Sequence, residues 1–250
     1  GLSAWTVQLE AKALGKLYGI SPDDEKYFRP PKRNRADIKR SGGDKVRDRH
    51  FSAANNDELI KFCKGTGLRR AEISELRGGE LWTKAQIGRE IFRIEAIPEK
   101  ERTNADRGRL KVLKDTQLFK SEYYVHVRSG KGGRERLSPI IGRNADQIVD
   151  RIKNTPSGKK VWEYVNGNAD IHSYRAQYAT DIYRAYARPI EEIPYDKVNR
   201  GTGKRYQSGV YSCRKDEAGK KLDRAAMLIC SKALGHNRIE VVANNYIRGL

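Results

Sequence analysis

Residues 234–247 read LGHNRIEVVANNYI and predict a short helix that begins near Arg238 and ends near Ile247. On that helix positions 239, 242, 243 and 246 share one face, which turns the phenol of Tyr246 towards the core. Taken alone, Tyr246 fits a half-buried aromatic residue whose hydroxyl reaches water. His236 follows a Leu-Gly break and lies ten residues before Tyr246, so a functional role for the pair stays open.

A second polar group lies in GLRRAEISEL, residues 67–76. On a helix starting at Gly67, Arg69 and Glu72 fall on the side of the apolar residues, whereas Arg70 lies about 100° away. Glu72 at i+3 can orient Arg69. The pattern fits two interpretations equally well: a structural Arg–Glu pair, or an arginine that binds Glu72 and also a phosphate.

Two further segments carry polar residues that are candidates for a functional site. In IHSYRAQYAT, residues 171–180, His172 and Arg175 continue an apolar helical stripe, which predicts that both lie on the buried face at the start of a helix. A helix start favours an anion.

Lys131 lies in the Gly-rich tip of a hairpin predicted from residues 123–127 and 134–139. A lysine at such a tip is ordinarily solvated.

Composition points to a polyanionic partner. The 250 residues include 51 Lys plus Arg against 32 Asp plus Glu, a net charge of +19 that is spread along the whole chain. Nucleic acid is the first candidate partner.

No apolar run approaches the ~20 residues of a membrane helix, which disfavours a membrane protein. Three cysteines without metal or redox spacing indicate a reduced, cytoplasmic setting.

The remaining segments give weaker patterns. Residues 2–17 predict an amphipathic helix, followed by a basic Pro- and Gly-rich linker. Residues 91–96 and 111–113 are predicted as strands joined by an exposed loop. Asn144 is predicted to cap a helix whose apolar side is structural. Residues 188–221, rich in Gly, Lys, Arg and Tyr, suit either a phosphate-contacting surface or a solvated excursion.

In this order, Arg69, Lys131, His172, Arg175, His236 and Tyr246 resemble the tyrosine site-specific recombinases of the phage-integrase family, which serve phages and mobile elements. The resemblance runs from Phe51 to the end. It implies an α+β fold that is mostly helical with a small antiparallel sheet. Residues 1–45 would be the last helix of a core-binding domain plus a basic linker, and residues 46–250 the catalytic domain. A helix that packs on the main domain fits residues 2–17 equally well. If the helix belongs to a core-binding domain, earlier residues are expected.

The resemblance also assigns roles. Tyr246 would be the nucleophile that forms a 3′-phosphotyrosine, His172 its base and Lys131 the acid at the leaving oxygen. Arg69, Arg175 and His236 would stabilise the phosphate, and Glu72 would support Arg69. No cofactor or metal is expected. The partners would be double-stranded recombination sites, three further protomers in a tetramer that exchanges strands through a Holliday junction, and accessory DNA-bending proteins.

Two alternatives stay open. A type IB topoisomerase uses a similar constellation, although the Leu-Gly-His before Tyr246 and the chain length favour the recombinase. A basic DNA-binding protein without chemistry fits the charge. It offers no reason for six matching positions.

Overall fold

A computed structural model describes residues 2–32, 51–193, 209–214, 217–236 and 238–247. The helices of these residues are α1 (Ala4–Leu17), α2 (Asp57–Thr66), α3 (Arg70–Glu75), α4 (Lys84–Glu95), α5 (Asn104–Asp115), α6 (Ala145–Lys153), α7 (Ile171–Tyr186), α8 (Arg224–Ala233) and α9 (Ile239–Asn245). The strands are β1 (Leu81–Thr83), β2 (Tyr123–Val127), β3 (Arg136–Pro139), β4 (Val210–Ser212) and β5 (Lys221–Asp223). The predicted α+β class, mostly helical with a small antiparallel sheet, is confirmed.

The central sheet is antiparallel in the order β1-β2-β3, and it separates two apolar clusters. Side chains of a strand alternate between faces. Tyr124 and Leu137 therefore join the cluster of α4, α5, α7, α8 and α9, whereas Val125 and Val127 join the cluster of α2, α3 and α6. The predicted β2–β3 hairpin is confirmed. It places Lys131 in the connecting turn.

The strands predicted at residues 91–96 and 111–113 are wrong, because these residues lie in α4 and α5. Thr83 accepts a hydrogen bond from the Gln86 N–H at 3.1 Å and starts α4. The buried residues of α4 are Ile87, Ile91 and Ile94, which recur at helical spacing. The β-branched isoleucines suggested strands, but burial of one helical stripe outweighs that propensity.

Helix α1 is confirmed as a helix, but its predicted apolar face is not covered in the described part of the chain. Leu9 and Leu17 are 67% and 73% exposed, while Ala11 and Gly15 are buried. Gly15 packs against the ring of Tyr27. The linker after residue 32, residues 194–208 and 215–216 of the predicted 188–221 segment, and residues 248–250 lie outside the described residues.

None of the described helices is both long and apolar enough to span a membrane.

Candidate active site

Arg69 lies at the junction between α2 and α3, held by Glu72. The chain turns at Gly67, whose φ of 60° is left-handed and whose missing Cβ leaves room for the Tyr178 ring. Arg69 is then the N-cap of α3. Its backbone N–H donates to Glu72 Oε2 at 2.7 Å and its Nη1 donates to Oε1 at 2.7 Å. The Arg69 side chain stays 24% exposed.

Glu72 also binds Arg136, a residue that the sequence did not single out. Arg136 Nη1 and Nη2 donate to the two Glu72 oxygens at 2.8 and 2.7 Å. Burial alone would raise the pKa of the Glu72 carboxyl. The hydrogen bonds and charge of Arg136, with the Arg69 N–H, outweigh burial and lower that pKa to about 2. Glu72 is therefore a carboxylate shared by two guanidinium groups.

Arg175, in the second turn of α7, is 1% exposed. It donates from Nη1 to the Gly67 carbonyl, from Nη2 to the Leu234 carbonyl at 2.5 Å, and from Nε to the Tyr246 hydroxyl at 3.4 Å. Burial lowers the pKa of this guanidinium to about 10, which leaves it charged at neutral pH. One buried cation thus joins the α2–α3 turn to the end of α8 and to Tyr246.

His236 and Tyr246 face each other across the α8–α9 connection. The turn is fixed by Gly235, with φ of 71°, and by a 2.8 Å hydrogen bond from the His236 N–H to the Ser231 carbonyl. His236 Nε2 lies 3.2 Å from the Tyr246 hydroxyl. The predicted helix is confirmed as α9, with Tyr246 at its C-cap and 8% exposed.

The His236 ring is neutral at pH 7. Burial first, and then the charges of Arg175, Arg69, Arg136 and Lys131, lower its pKa to about 4. A neutral imidazole can accept a proton from a phenol, which a protonated one cannot.

A cleft of about 510 Å³ opens beside this cluster. It is lined by Arg69, Lys131, Arg136 and His236 and by residues of α5. Helix α5 is fixed there by the Lys232–Asp115 bridge at 2.9 Å and by the contact of Arg109 with Glu135. The α5 lining of the cleft was not predicted, because residues 111–113 were predicted as a strand. Thr103 and Asp106, which form a capping box, are the signal for the helix.

The cleft carries excess positive charge. Its lining includes Asp115 and Glu135 as acids, and both are paired with cations. The side chains of Lys111, Lys131 and Arg134 also line it, and they form no hydrogen bond or ion pair with the described residues. An anion is therefore the ligand that this cleft favours.

His172 is the predicted site residue that the structure separates from the others. The buried face of α7 follows Ile171, Arg175, Tyr178 and Ile182, and His172 lies about 100° from Ile171. Its side chain is exposed and forms no hydrogen bond or ion pair with the described residues. The prediction that His172 continues the buried face is wrong. The imidazole beside Tyr246 belongs to His236.

Arg70 points away from the cleft. It donates to the carbonyls of Asn166 at 2.6 Å and Ala169 at 2.5 Å, and so it fastens α3 to the segment before α7. Arg69, one residue earlier, lines the cleft.

Comparisons with protein-family models, with curated proteins and with solved structures found no match to this chain.

The described residues contain no group of three or more His, Cys, Asp or Glu side chains that could hold a metal ion.

Proposed function

We propose that this chain is a site-specific DNA recombinase that cleaves and rejoins DNA through Tyr246. The observation that carries the proposal is the Tyr246 hydroxyl, which lies between His236 Nε2 and Arg175 Nε beside a cationic cleft. A phenol in contact with a neutral base and a buried cation has what a nucleophile needs, a proton acceptor and stabilisation of the phenolate.

The reaction begins when Tyr246 Oη attacks a phosphodiester phosphorus. A bond forms between Oη and phosphorus, the bond to the 5′ oxygen breaks, and the products are a 3′-phosphotyrosine and a free 5′ hydroxyl. The phenolic proton passes to His236, which takes the role that the sequence had given to His172. Attack by a 5′ hydroxyl on the phosphotyrosine reverses these steps and rejoins the strand.

Cations supply the stabilisation of the transition state. The non-bridging oxygens of the attacked phosphate gain negative charge, which Arg69 at the cleft wall and Arg175 beside the phenol offset. Glu72 keeps the Arg69 fork in place. Lys131, whose side chain is unpaired among the described residues, protonates the leaving 5′ oxygen.

Exchange between two duplexes requires four protomers on two recombination sites, with accessory DNA-bending proteins as further partners. This part of the proposal rests on the sequence resemblance. The bond between Tyr246 and the phosphate conserves the energy of the broken linkage, so rejoining needs no nucleotide cofactor.

A trapping experiment tests the chemistry without a known target site. The protein is incubated with a pool of labelled duplexes that carry randomised sequence and a nick, so that the short fragment bearing the new 5′ hydroxyl diffuses away after cleavage. A labelled band at the mass of protein plus DNA on a denaturing gel is expected, and Tyr246→Phe should lack it. DNA binding without any adduct from any member of the pool would favour a non-catalytic DNA-binding protein.

A further inference from the structure

Arg136, the first residue of β3, is an arginine buried beside the candidate site. It is 6% exposed, and two of its three nitrogens are committed to Glu72. Its Nε is fully buried and has no hydrogen-bond partner among the described residues. A buried cation with an unpaired donor costs stability, which makes Arg136 a candidate for a role beyond packing.

The Arg136 side chain lies against three of the segments that carry residues of the proposed site. Through Glu72 it reaches Arg69. A Cβ built on Gly130, next to Lys131, would lie 3.1 Å from Arg136 Nη1 and 3.2 Å from Glu72 Oε1.

The third contact is with the turn that carries His236. A Cβ built on Gly235 would lie 2.7 Å from Arg136 Cδ and 3.3 Å from Nε. A side chain at Gly235 would displace Arg136, and one at Gly130 would meet the Arg134 carbonyl oxygen at 2.9 Å and press against Arg136 Nη1. The arginine therefore fills the space between the Lys131 turn, the Arg69–Glu72 pair and the His236 turn.

We infer that Arg136 is a positioning residue that holds Arg69, Lys131 and His236 at one phosphate. The inference rests on the proposed function for the identity of that ligand. Arg136 acts through Glu72 and through the two glycine turns, because its Nε is buried and its other nitrogens are occupied. Lysine in its place would keep the charge but lose the fork that grips both Glu72 oxygens.

Arg136→Met and Arg136→Lys test this inference, with Arg188→Met as the matched control. Arg188 donates from Nε and Nη2 to the two oxygens of buried Asp223 at 2.8 and 3.0 Å, and it does not line the cleft. Both Met variants lose a bidentate arginine–carboxylate pair. An effect seen only in Arg136→Met is therefore specific to the Arg136–Glu72 pair.

Two readouts keep the inference separate from the proposed function. The first is the NMR response of the His236 ring to inorganic phosphate, which needs no DNA cleavage. The second is the rate of adduct formation on the nicked DNA pool. Thermal unfolding and binding of duplex DNA are measured alongside, to show that each variant is folded and still binds DNA.

Both Arg136 variants should bind duplex DNA as the unmodified protein does, but lose the phosphate response of His236 and form adducts about 100-fold more slowly, as expected for misplaced reacting groups. Arg188→Met should keep both. If Arg136→Met does not fold, Arg136→Lys decides the matter. If the unmodified protein forms no adduct but its phosphate response needs Arg136, the proposed function fails and the positioning role stands.

Three results would overturn the positioning role. One is a folded Arg136 variant with an unchanged phosphate response. Another is an equal loss in Arg188→Met at equal stability. The third is an unmodified protein whose His236 does not respond to phosphate.

Discussion

The Tyr246 hydroxyl has two polar neighbours with different roles. His236 can accept its proton, while Arg175 remains charged and favours the phenolate that results. The same burial that keeps His236 neutral makes its protonation unfavourable in the folded protein. Function and stability are therefore linked at this residue.

We expect the free energy of unfolding to fall as the pH drops from about 6.5 to about 4. The folded-state pKa of His236 is about 4, below its ordinary value of 6.5, so in this window the unfolded chain binds a proton that the folded chain does not. Stability is then greatest above pH 6.5 and is lost on acidification. Burial and the charges of Arg109 and Arg128 also lower the pKa of His126, but the Glu135 carboxylate 2.6 Å from His126 Nε2 favours the protonated ring, so the pH dependence is predicted from His236 alone.

Urea unfolding at a series of pH values measures this effect. His236→Gln should lose less stability between pH 6.5 and pH 4 than the unmodified protein. The account of His236 burial is contradicted if His236→Gln leaves the slope of stability against pH unchanged.

The neighbouring arginines should separate chemistry from stability. Arg69→Ala removes a side chain at the cleft and should abolish adduct formation with little change in folding. Arg70→Ala breaks two hydrogen bonds to carbonyls and should lower the free energy of unfolding by about 1–3 kcal/mol, while adducts still form. The measurements are adduct yield and chemical unfolding for both variants, and the opposite order would count against the site.

At the scale of elements, the sequence patterns succeeded where local and tertiary preferences agree. In α9, Val242, Ala243 and Tyr246 repeat at helical spacing and are buried, as predicted. In the β2–β3 hairpin, strand alternation and the Gly-rich turn predict the same structure. Helices α4 and α5 were missed because isoleucine and valine favour strands locally, whereas the core that selects a helix is formed by α7 and α8, distant in sequence.

In the candidate site, too, sequence patterns fail where contacts between distant segments decide which residue is buried. Periodicity placed Arg175 and Tyr246 on inward faces, and both are buried. Arg69 lines the cleft as the N-cap of α3, so the prediction that it lies within a helix starting at Gly67 is wrong. The periodicity prediction was wrong for His172, which follows Ile171, the first buried residue of α7. His172 lies about 100° from Ile171 around the helix, which is too far to share its buried face. Arg136 gave no signal, because Arg134, Glu135 and Arg136 are all charged and only the three-dimensional register shows which one is buried.

The α8–α9 turn should be intolerant of a side chain at Gly235. Gly235→Ala places a Cβ at a left-handed φ of 71° and 2.7 Å from Arg136 Cδ. Gly142→Ala, at φ of 84° with no atom within 4 Å of the new Cβ, is the matched control for backbone strain alone. Each should lose about 1–3 kcal/mol from the strain.

Only Gly235→Ala should also lose adduct formation and the phosphate response of His236. Thermal unfolding and the two site assays measure the difference. Equal behaviour of the two variants in the site assays would show that Arg136 does not need the space at Gly235.

At the scale of the whole molecule, the net charge of +19 predicts that DNA binding is driven mainly by phosphate contacts. The logarithm of affinity should fall linearly with the logarithm of salt concentration, by about 0.9 for each phosphate neutralised. Fluorescence anisotropy of a labelled duplex at several salt concentrations measures the slope. A flat dependence between dilute and physiological salt would contradict a charge-driven interface.

The central claim is that Tyr246, and no other residue, becomes joined to DNA. The chain contains 13 tyrosines, and Tyr178 and Tyr183 of α7 lie in the same apolar cluster as Tyr246. Tyr246→Phe keeps the ring, costs about 1 kcal/mol for the lost hydrogen bonds, and should bind DNA without forming an adduct.

The most direct measurement is peptide mapping of the trapped protein–DNA adduct by mass spectrometry. The account predicts a single nucleotide-bearing peptide that contains Tyr246. Attachment at any other tyrosine, or an adduct of undiminished yield from Tyr246→Phe, would contradict it.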